Sequence, residues 1–122
     1  MKSCNFTIYD MIVKNSLIYP QKVALSYGNK QITFREYKSL CDRCAAGLLN
    51  NSVEQGERLA VLASNCDDFL VLCGAAAKIG AVIVPINYRL SDPEIKYVIN
   101  DTMPKYIFSS KEYHELAEKA LS

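Results

Sequence analysis

The second half of the chain alternates apolar runs with helical stretches in the rhythm of an α/β fold. Two segments have helical periodicity, Cys66–Ile79 and Asp92–Asp101. Around them lie short runs rich in β-branched and aromatic residues, which predict strands buried on both faces: Arg58–Ala63, Ala81–Ile86 and Tyr106–Ser109. Strands that alternate with helices in this way pair in parallel. We therefore expect a small parallel β-α-β-α-β sheet covered by helices.

The first half predicts an antiparallel hairpin preceded and followed by a helix. A capping box that begins at Thr7 predicts a helix to about Ile18. Two extended runs follow, Val23–Tyr27 and Gln31–Phe34, joined through a Gly-Asn turn. Such a turn indicates a tight hairpin because glycine accepts a positive φ. The predicted fold class is therefore α/β, with this hairpin placed ahead of the parallel sheet.

The helix after the hairpin carries an apolar stripe that contains a Cys-x-x-Cys pair. A second capping box, Thr33 with Glu36, predicts its start, and it runs to about Asn50. Cys41 and Cys44 fall inside the stripe, where free cysteine behaves as a small hydrophobic residue. A dithiol redox pair or half of a zinc site is the alternative. We interpret both thiols as core residues, with no metal site, because neither a second ligand pair nor a redox context accompanies them.

The chain ends in an amphipathic segment that predicts one more helix, Lys111–Leu121. His114, the only histidine, lies on it between two glutamates, so we expect a solvated surface side chain. A serine triad would need this histidine as its base, and no nucleophile-elbow sequence accompanies it. The sequence therefore predicts no catalytic residue. The inward side of this helix is expected to consist of Tyr113, Leu116, Ala117 and Ala120.

Amino-acid composition and net charge exclude some kinds of binding partner and indicate a cellular compartment. Of 122 residues, 50% are apolar, and fourteen Lys and Arg against thirteen Asp and Glu give a formal charge of +1. That balance predicts neither nucleic-acid binding nor attraction to an anionic membrane.

The longest uncharged stretches, Phe69–Ala77 and Ile79–Tyr88, are about half of the roughly 20 residues of a transmembrane helix. Lys2 is followed by no apolar run, which argues against a secretion signal. Five cysteines, Cys4 among them, are an odd number without a disulfide pattern, so we expect a cytoplasmic protein.

Phosphate-binding signatures are missing from the sequence. The five glycines have neither the GxGxxG nor the GxxxxGK spacing. The loop after the first parallel strand ends in Asn65, a good N-cap, and Asp67 and Asp68 would occupy the first turn of the next helix. Their carboxylates satisfy the positive end of the helix dipole and would repel a phosphate. We interpret this loop as structural.

Arg89 is the one candidate ligand-binding residue. It follows the strand Ala81–Ile86 and precedes a helix start at Ser91–Glu94. A guanidinium group at the carboxyl end of a parallel strand suits a phosphate or a carboxylate. A surface ion pair with Asp92 or Glu94 is the alternative, and composition and spacing alone favour it.

At this point the sequence resembles the opening part of the adenylate-forming (AMP-binding) superfamily, and most closely its acyl-CoA synthetases. The resemblance extends from about Ile8 to about Ser109, and its most specific piece is GAVIVPINYRL followed by a Glu-Ile helix. The matching segments, in order, are QITFREYKSL, GERLAVLASN, AAAKIGAVIVPIN and YRLSDPEIKYVI.

The resemblance implies a two-step ligase. A carboxylic acid would react with ATP to form an acyl-adenylate and pyrophosphate, and coenzyme A would then displace AMP. The family uses Mg²⁺, a Ser/Thr/Gly-rich loop ending in lysine and a C-terminal lysine, none of which this sequence supplies. The resemblance therefore implies that residues 1–122 are a single partial domain, the N-terminal fragment of a larger ligase, inactive alone. By the same resemblance Arg89 would contact a phosphate of coenzyme A, while Asn87 and Tyr88 would shape the loop.

A free-standing, non-catalytic α/β binding or interaction module is the competing interpretation, because the chain has the size of a domain. The two interpretations differ in what they expect of the surface. A fragment should expose apolar faces meant for the rest of the ligase, here on Val71, Leu72 and Ile79, and these could drive self-association.

Overall fold

The computed structural model describes residues 6–122; Lys2 and Cys4 lie outside them. Five helices and five strands follow one another in the predicted order. A single 3₁₀ turn, Lys111–Tyr113, precedes the last helix. The elements are α1 (Ile8–Ile18), β1 (Val23–Tyr27), β2 (Lys30–Thr33), α2 (Phe34–Asn50), β3 (Arg58–Leu62), α3 (Asp67–Ile79), β4 (Val82–Pro85), α4 (Asp92–Thr102), β5 (Tyr106–Ser109) and α5 (His114–Leu121).

The parallel sheet has the strand order β4-β3-β5, with β3 in the centre. Leu59 of β3 lies opposite Ile83 of β4 and Tyr106 of β5, and both pairings are parallel, as predicted. The prediction that all three strands are buried on both faces is wrong for the outer two. Val82 is 47% exposed and Phe108 36%. Each outer strand has a neighbouring strand on one side only, and the helices cover mainly β3.

Helices cover both faces of this sheet and divide its core in two. Leu59 and Val61 of β3 pack against α2 and α3, together with Leu72 and Ala75. The intervening residues, Ala60 and Leu62, face α4 and α5. The fully buried Ile95 of α4 joins this second cluster. Alternation along the strand thus assigns the four residues after Arg58 in turn to the two cores.

The apolar faces predicted to be exposed on α3 are not exposed, which corrects that expectation. Leu72 is buried in the core under the sheet. Val71 is half-buried against the α1–α2 cluster, and Ile79 is half-buried against the same core as Leu72. α3 packs against both α1 and α2, and the exposed large apolar side chain on it is Leu70, which is 41% exposed.

The hairpin and α1 form a third packed unit with α2. Ile12 of α1, Ile32 of β2 and Tyr37 and Cys41 of α2 form its buried cluster. The hairpin turn places Gly28 at φ 59°, the positive value that the Gly-Asn pattern predicted. None of the helices in residues 6–122 has the length and apolar character to cross a bilayer.

The N-cap of α1 is the one predicted from the sequence, whereas the caps of α2 and α3 differ from the prediction. The capping box at Thr7 is formed in full, whereas Thr33 accepts the N–H of Glu36 and donates its own hydroxyl to that carboxylate. α3 begins one residue later than predicted, with Cys66 rather than Asn65 at the N-cap and no side-chain cap bond. Asp67 and Asp68 place two carboxylates in this first turn, where they complement the positive end of the helix dipole.

Candidate active-site edge of the parallel sheet

The carboxyl ends of β3, β4 and β5 meet at one edge of the parallel sheet. The chain leaves β3 toward α3, on one face, and leaves β4 and β5 toward α4 and α5, on the other face. Neighbouring strands whose connections depart to opposite faces open a crevice between them. This edge therefore has a crevice on each side of β3.

Both crevices are present as clefts, and they share Phe69 at the start of α3. The cleft between β3 and β4 has a volume of about 270 Å³ and includes Asn65 and Asn87. The cleft between β3 and β5 has a volume of about 340 Å³ and is mainly apolar. Ser110 lines the second cleft, and its buried hydroxyl has no hydrogen-bond partner among residues 6–122. A buried polar atom without a partner can bond a ligand or a neighbouring segment.

Asn87 holds the loop after β4 in shape, as expected from the sequence. Its side-chain oxygen accepts the backbone N–H of Arg89 at 3.0 Å, and its carbonyl accepts the N–H of Leu90 at 3.1 Å. Immediately after this turn, Ser91 donates its backbone N–H and its hydroxyl to the Glu94 carboxylate at the start of α4. The loop is thus fixed at both ends by its own short-range hydrogen bonds.

The aromatic ring of Tyr88 lies close to the guanidinium group of Arg89. The ring of Tyr88 stacks on Tyr113 with a centroid distance of 5.0 Å, and the guanidinium carbon of Arg89 lies 5.8 Å from the Tyr88 centroid. Partial burial, with the neighbouring Glu112 carboxylate, raises the pKa of the Tyr113 hydroxyl. Tyr113 comes from the turn after β5, so two loops of this edge contribute to the stack. Cation–π contact favours a guanidinium held near an aromatic face.

Arg89 is exposed, next to the cleft between β3 and β4. Within residues 6–122 it forms no ion pair with Asp92 or Glu94, so the alternative interpretation as a surface ion pair is wrong. Glu94 instead accepts the backbone N–H and hydroxyl of Ser91, which lower the pKa of its carboxyl. Arg89 can therefore bind an anion without first giving up a carboxylate partner.

The loop after β3, in contrast, has no cationic side chain that could bind an anion. The carboxylate of Asp67 pairs with the ammonium group of Lys30 at 2.8 Å, which, with the backbone N–H bonds, lowers the pKa of that carboxyl. Asp67 and Asp68 occupy the first turn of α3, as predicted. In the part of the chain that the structure describes, no three His, Cys, Asp or Glu side chains are grouped to hold a metal ion. The carboxylate of Asp67 is thus already paired with a lysine, and both acids lie at the start of α3.

The thiols and the histidine lie where the sequence placed them. Cys41 is fully buried, and burial raises the pKa of its thiol to about 11. Burial also raises the pKa of Cys44, so the pair lacks the lowered pKa of a redox dithiol. His114 is exposed, with its ring 3.2 Å from the Glu118 carboxylate one turn further along α5.

Two features of this edge could not be recognised from the sequence. Phe69, which lines both clefts, was interpreted only as part of an apolar helix. Ser110, between the last predicted strand and helix, had no predicted role. Register is the signal that could have revealed Ser110, since a residue that directly follows one of several aligned parallel strands lies along their common edge.

The family profile described as "AMP-binding enzyme" matches residues 14–122. The chain is similar to the long-chain-fatty-acid–CoA ligase FadD13 of Mycobacterium tuberculosis, with 38% identity over 77 residues, which are 63% of this chain and 15% of that protein. It is also similar to a feruloyl-CoA synthase of Amycolatopsis, with 30% identity over 84% of this chain and 21% of that protein.

The fold agrees with this relationship. The structure superposes on the N-terminal domain of FACL13 of M. tuberculosis with a TM-score of 0.85 and 28% identity, covering 92% of this chain and 29% of that one. The chain thus spans about a fifth or less of the curated relatives named above. A match over residues 14–122, together with this superposition, shows that the chain belongs to the AMP-binding enzyme family.

Proposed function

We propose that residues 1–122 are a single partial domain, the N-terminal portion of an AMP-forming acyl-CoA ligase. The complete ligase would join a carboxylic acid to coenzyme A, convert ATP to AMP and release pyrophosphate. The observation that carries this proposal is the superposition on the FACL13 N-terminal domain, of which this chain covers 29%. A free-standing interaction module is not favoured by a family match of this extent.

The portion described here would supply scaffold rather than catalysis. We expect its own residues not to hold a magnesium–nucleotide complex, because Asp67 is paired with Lys30 and Asp68 lies in the first turn of α3, where its charge complements the helix dipole. Mg²⁺ supplies charge neutralisation to phosphoryl transfer when it is bound. The residues that hold ATP and Mg²⁺ would therefore belong to the remainder of the ligase. We expect the 122-residue chain alone to be inactive.

Arg89 would contribute to binding coenzyme A by contacting one of its phosphates. Three features of the structure support this role. The side chain is exposed, it lies at the carboxyl edge of the sheet, and its loop is fixed by Asn87. An arginine whose backbone is already positioned loses less conformational freedom when it binds a phosphate. The stacked rings of Tyr88 and Tyr113 would restrict the guanidinium further.

An Arg89→Ala substitution in the full-length ligase tests this role. A charge-assisted hydrogen bond is worth about 1.5–3 kcal/mol, so the KM for coenzyme A should rise roughly 10- to 100-fold. ATP–pyrophosphate exchange, which does not use coenzyme A, should stay unchanged. Arg43→Ala, which removes an exposed arginine from α2, is the matched control and should leave both measurements unchanged. An unaltered KM for coenzyme A in the Arg89 variant would remove Arg89 from the site.

The same exchange assay tests the broader proposal. The purified 122-residue chain should give no exchange above background with any carboxylic acid, whereas the full-length ligase should give exchange with its own substrate. Exchange by the short chain would contradict the scaffold role, and no activity of the complete protein with any acid would contradict the ligase.

Two further expectations concern the chain by itself. Exposed apolar side chains on the outer strands, such as Val82 and Phe108, should lead the isolated chain to self-associate. We also propose a cytoplasmic location, because the four described cysteines are free thiols.

A further inference from the structure

A hydrogen bond joins the turn after β5 to the loop after β3 at the carboxyl edge of the sheet. The hydroxyl of Ser64 donates to the carboxylate of Glu112 at 3.0 Å, although the two residues are 48 positions apart in the chain. Two residues earlier in each segment, the backbone N–H of Ser110 donates to the carbonyl of Leu62 at 3.2 Å. The side-chain bond, which we call the Ser64–Glu112 bridge, thus continues the attachment of β5 to β3 beyond the ends of both strands.

The Ser64–Glu112 bridge lies directly before the aromatic stack that contacts Arg89. Glu112 is the middle residue of the 3₁₀ turn that ends at Tyr113. The ring of Tyr113 stacks on Tyr88, and the Tyr88 centroid lies 5.8 Å from the guanidinium carbon of Arg89. A series of contacts therefore leads from the end of β3, through the turn after β5, to the candidate phosphate-binding side chain.

The charge of Glu112 by itself would weaken the binding of a phosphate at this edge. Burial raises the pKa of the Tyr113 hydroxyl, Glu112 raises it further and the positive charge of Arg89 lowers it, so both charged groups lie near that hydroxyl. A carboxylate close to a bound phosphate costs binding free energy because like charges repel. No ion pair within residues 6–122 includes Glu112. Any favourable contribution of Glu112 must therefore come from the geometry that its bond to Ser64 imposes.

We propose that Glu112 is a positioning residue for Arg89, a role that rests on the proposed contact between Arg89 and a phosphate of coenzyme A. Glu112 acts through the bridge, which fixes the turn that holds the Tyr113 ring against Tyr88. Tyr88 in turn limits the positions that the neighbouring guanidinium group can adopt. A side chain that is restricted before binding loses less conformational entropy when it binds an anion.

Two other interpretations of Glu112 predict different results. As a solvated surface acid, Glu112 would not affect the binding of coenzyme A at all. As an electrostatic neighbour of Arg89 it would only repel the phosphate, so that its removal would improve binding. A positioning residue gives a change of the opposite sign, because loss of the bridge loosens the stack beside Arg89.

Substitutions of Glu112 in the full-length ligase test the proposal through the sign of the change. Glu112→Ala removes the acceptor of the bridge and should raise the KM for coenzyme A roughly three- to tenfold, the range for one hydrogen bond. Glu112→Gln removes the charge but keeps an amide oxygen that can accept the Ser64 hydroxyl, so its KM should equal or fall below that of the wild type. The kcat and ATP–pyrophosphate exchange should not change in either variant.

Substitutions of the other members of the series locate the effect. Ser64→Ala removes the donor of the bridge, so it should raise the KM by a similar factor, and adding it to Glu112→Ala should raise the KM no further. Tyr113→Phe keeps the stacked ring and should keep the KM, whereas Tyr113→Leu should raise it. In a variant that already carries Arg89→Ala, Glu112→Ala should have no additional effect.

Glu115→Ala is the matched control, because it removes the same charge from an exposed position of α5. It should leave the KM for coenzyme A unchanged. Circular dichroism verifies that each variant is folded. A KM that falls or stays at the wild-type value in Glu112→Ala would overturn the positioning role, as would a further rise when Glu112→Ala is added to Arg89→Ala.

The Arg89→Ala variant separates this role from the phosphate contact on which it depends. If Arg89→Ala raises the KM for coenzyme A and Glu112→Ala does not, only the positioning role of Glu112 is wrong. If Arg89→Ala also leaves the KM unchanged, the phosphate contact itself is wrong, and the positioning role is wrong with it.

Discussion

The central strand of the parallel sheet and its two neighbours have the same kind of sequence but very different surroundings. In β3 the residues after Arg58 are all buried, alternating between two cores. In β4 and β5 every residue is exposed or half-buried. An apolar run thus predicts that a strand forms, while its burial depends on neighbours that the run does not specify. The difference divides the molecule into a packed centre, formed by β3, α2 and α3, and an open sheet margin.

Shortening a side chain in the packed centre should have the largest effect on stability. Leu59 is fully buried between β3 and the helices α2 and α3. Leu59→Ala should lower the free energy of unfolding by about 2–5 kcal/mol, because it removes apolar contact and leaves a cavity. Urea denaturation followed by circular dichroism measures this change.

Val82 on the open margin is the matched control. It is 47% exposed, so Val82→Ala should cost less than about 1 kcal/mol. Equal losses in the two variants would mean that the margin is as tightly packed as the centre, which would remove the distinction between the regions.

The next largest difference in stability is expected between alanine substitutions at two glycines, one in α2 and one in α3. A Cβ added to Gly74 of α3 would clash with the Cys41 sulfur and lie 3.0 Å from the Ile12 side chain. Gly74→Ala should therefore destabilise the chain by about 1–3 kcal/mol through overpacking. A Cβ on Gly47 of α2 would meet nothing within 4 Å, so Gly47→Ala should stabilise it by about 0.5–1 kcal/mol.

Gly74→Ala should lower the stability of the chain and Gly47→Ala should raise it. The direction in which the thermal unfolding midpoint moves therefore distinguishes the two substitutions. Adding Cys41→Ala to Gly74→Ala should recover part of the loss, since it removes the sulfur that the new methyl group meets. A stabilising Gly74→Ala, or no recovery in the double variant, would show that α2 and α3 are not in close contact at this point.

Local features of the fold could be predicted from the sequence because they depend on residues close in the chain. The apolar stripe of α2 places Cys41 in the core, and the Gly-Asn turn sets the hairpin. The box at Thr7 starts α1. Each of these signals involves residues at most a few turns apart, within the reach of helix and turn geometry.

Contacts between distant residues explain what the sequence could not predict. The pairing of Lys30 with Asp67 joins the hairpin to α3, and the stack of Tyr88 on Tyr113 joins two loops of the sheet edge. Both depend on how whole elements pack. The same limit applies to Arg89, whose position after β4 was predictable but whose aromatic support was not. Its role with coenzyme A stays a prediction.

Asp42 connects α2 to both of its neighbouring helices, and its substitution should cost less than Leu59→Ala or Gly74→Ala. Its carboxylate accepts hydrogen bonds from Tyr9 of α1, Lys38 of α2 and Lys78 of α3. Partial burial alone would raise the pKa of this carboxyl, but these three donors outweigh it and lower the pKa from 3.8 to about 2. The charged form is therefore favoured by the folded state.

The sign of the pH dependence follows from this lowered pKa. The ionised carboxylate contributes its full stabilisation above the ordinary pKa of 3.8, and the contribution is lost as the pH falls through about 2. Asp42→Asn should thus cost roughly 1–2 kcal/mol near neutral pH, after allowance for solvent screening of a side chain that is 30% exposed. Urea midpoints of both proteins, measured at several pH values, should converge in the acid range. Asp101→Asn, which alters an exposed aspartate of α4, should show no such convergence. The outcome that contradicts this prediction is a difference in urea midpoint between wild type and Asp42→Asn that stays constant down to the lowest pH. In that case packing alone joins the three helices at this point, and the ionisation of Asp42 does not stabilise the packed centre.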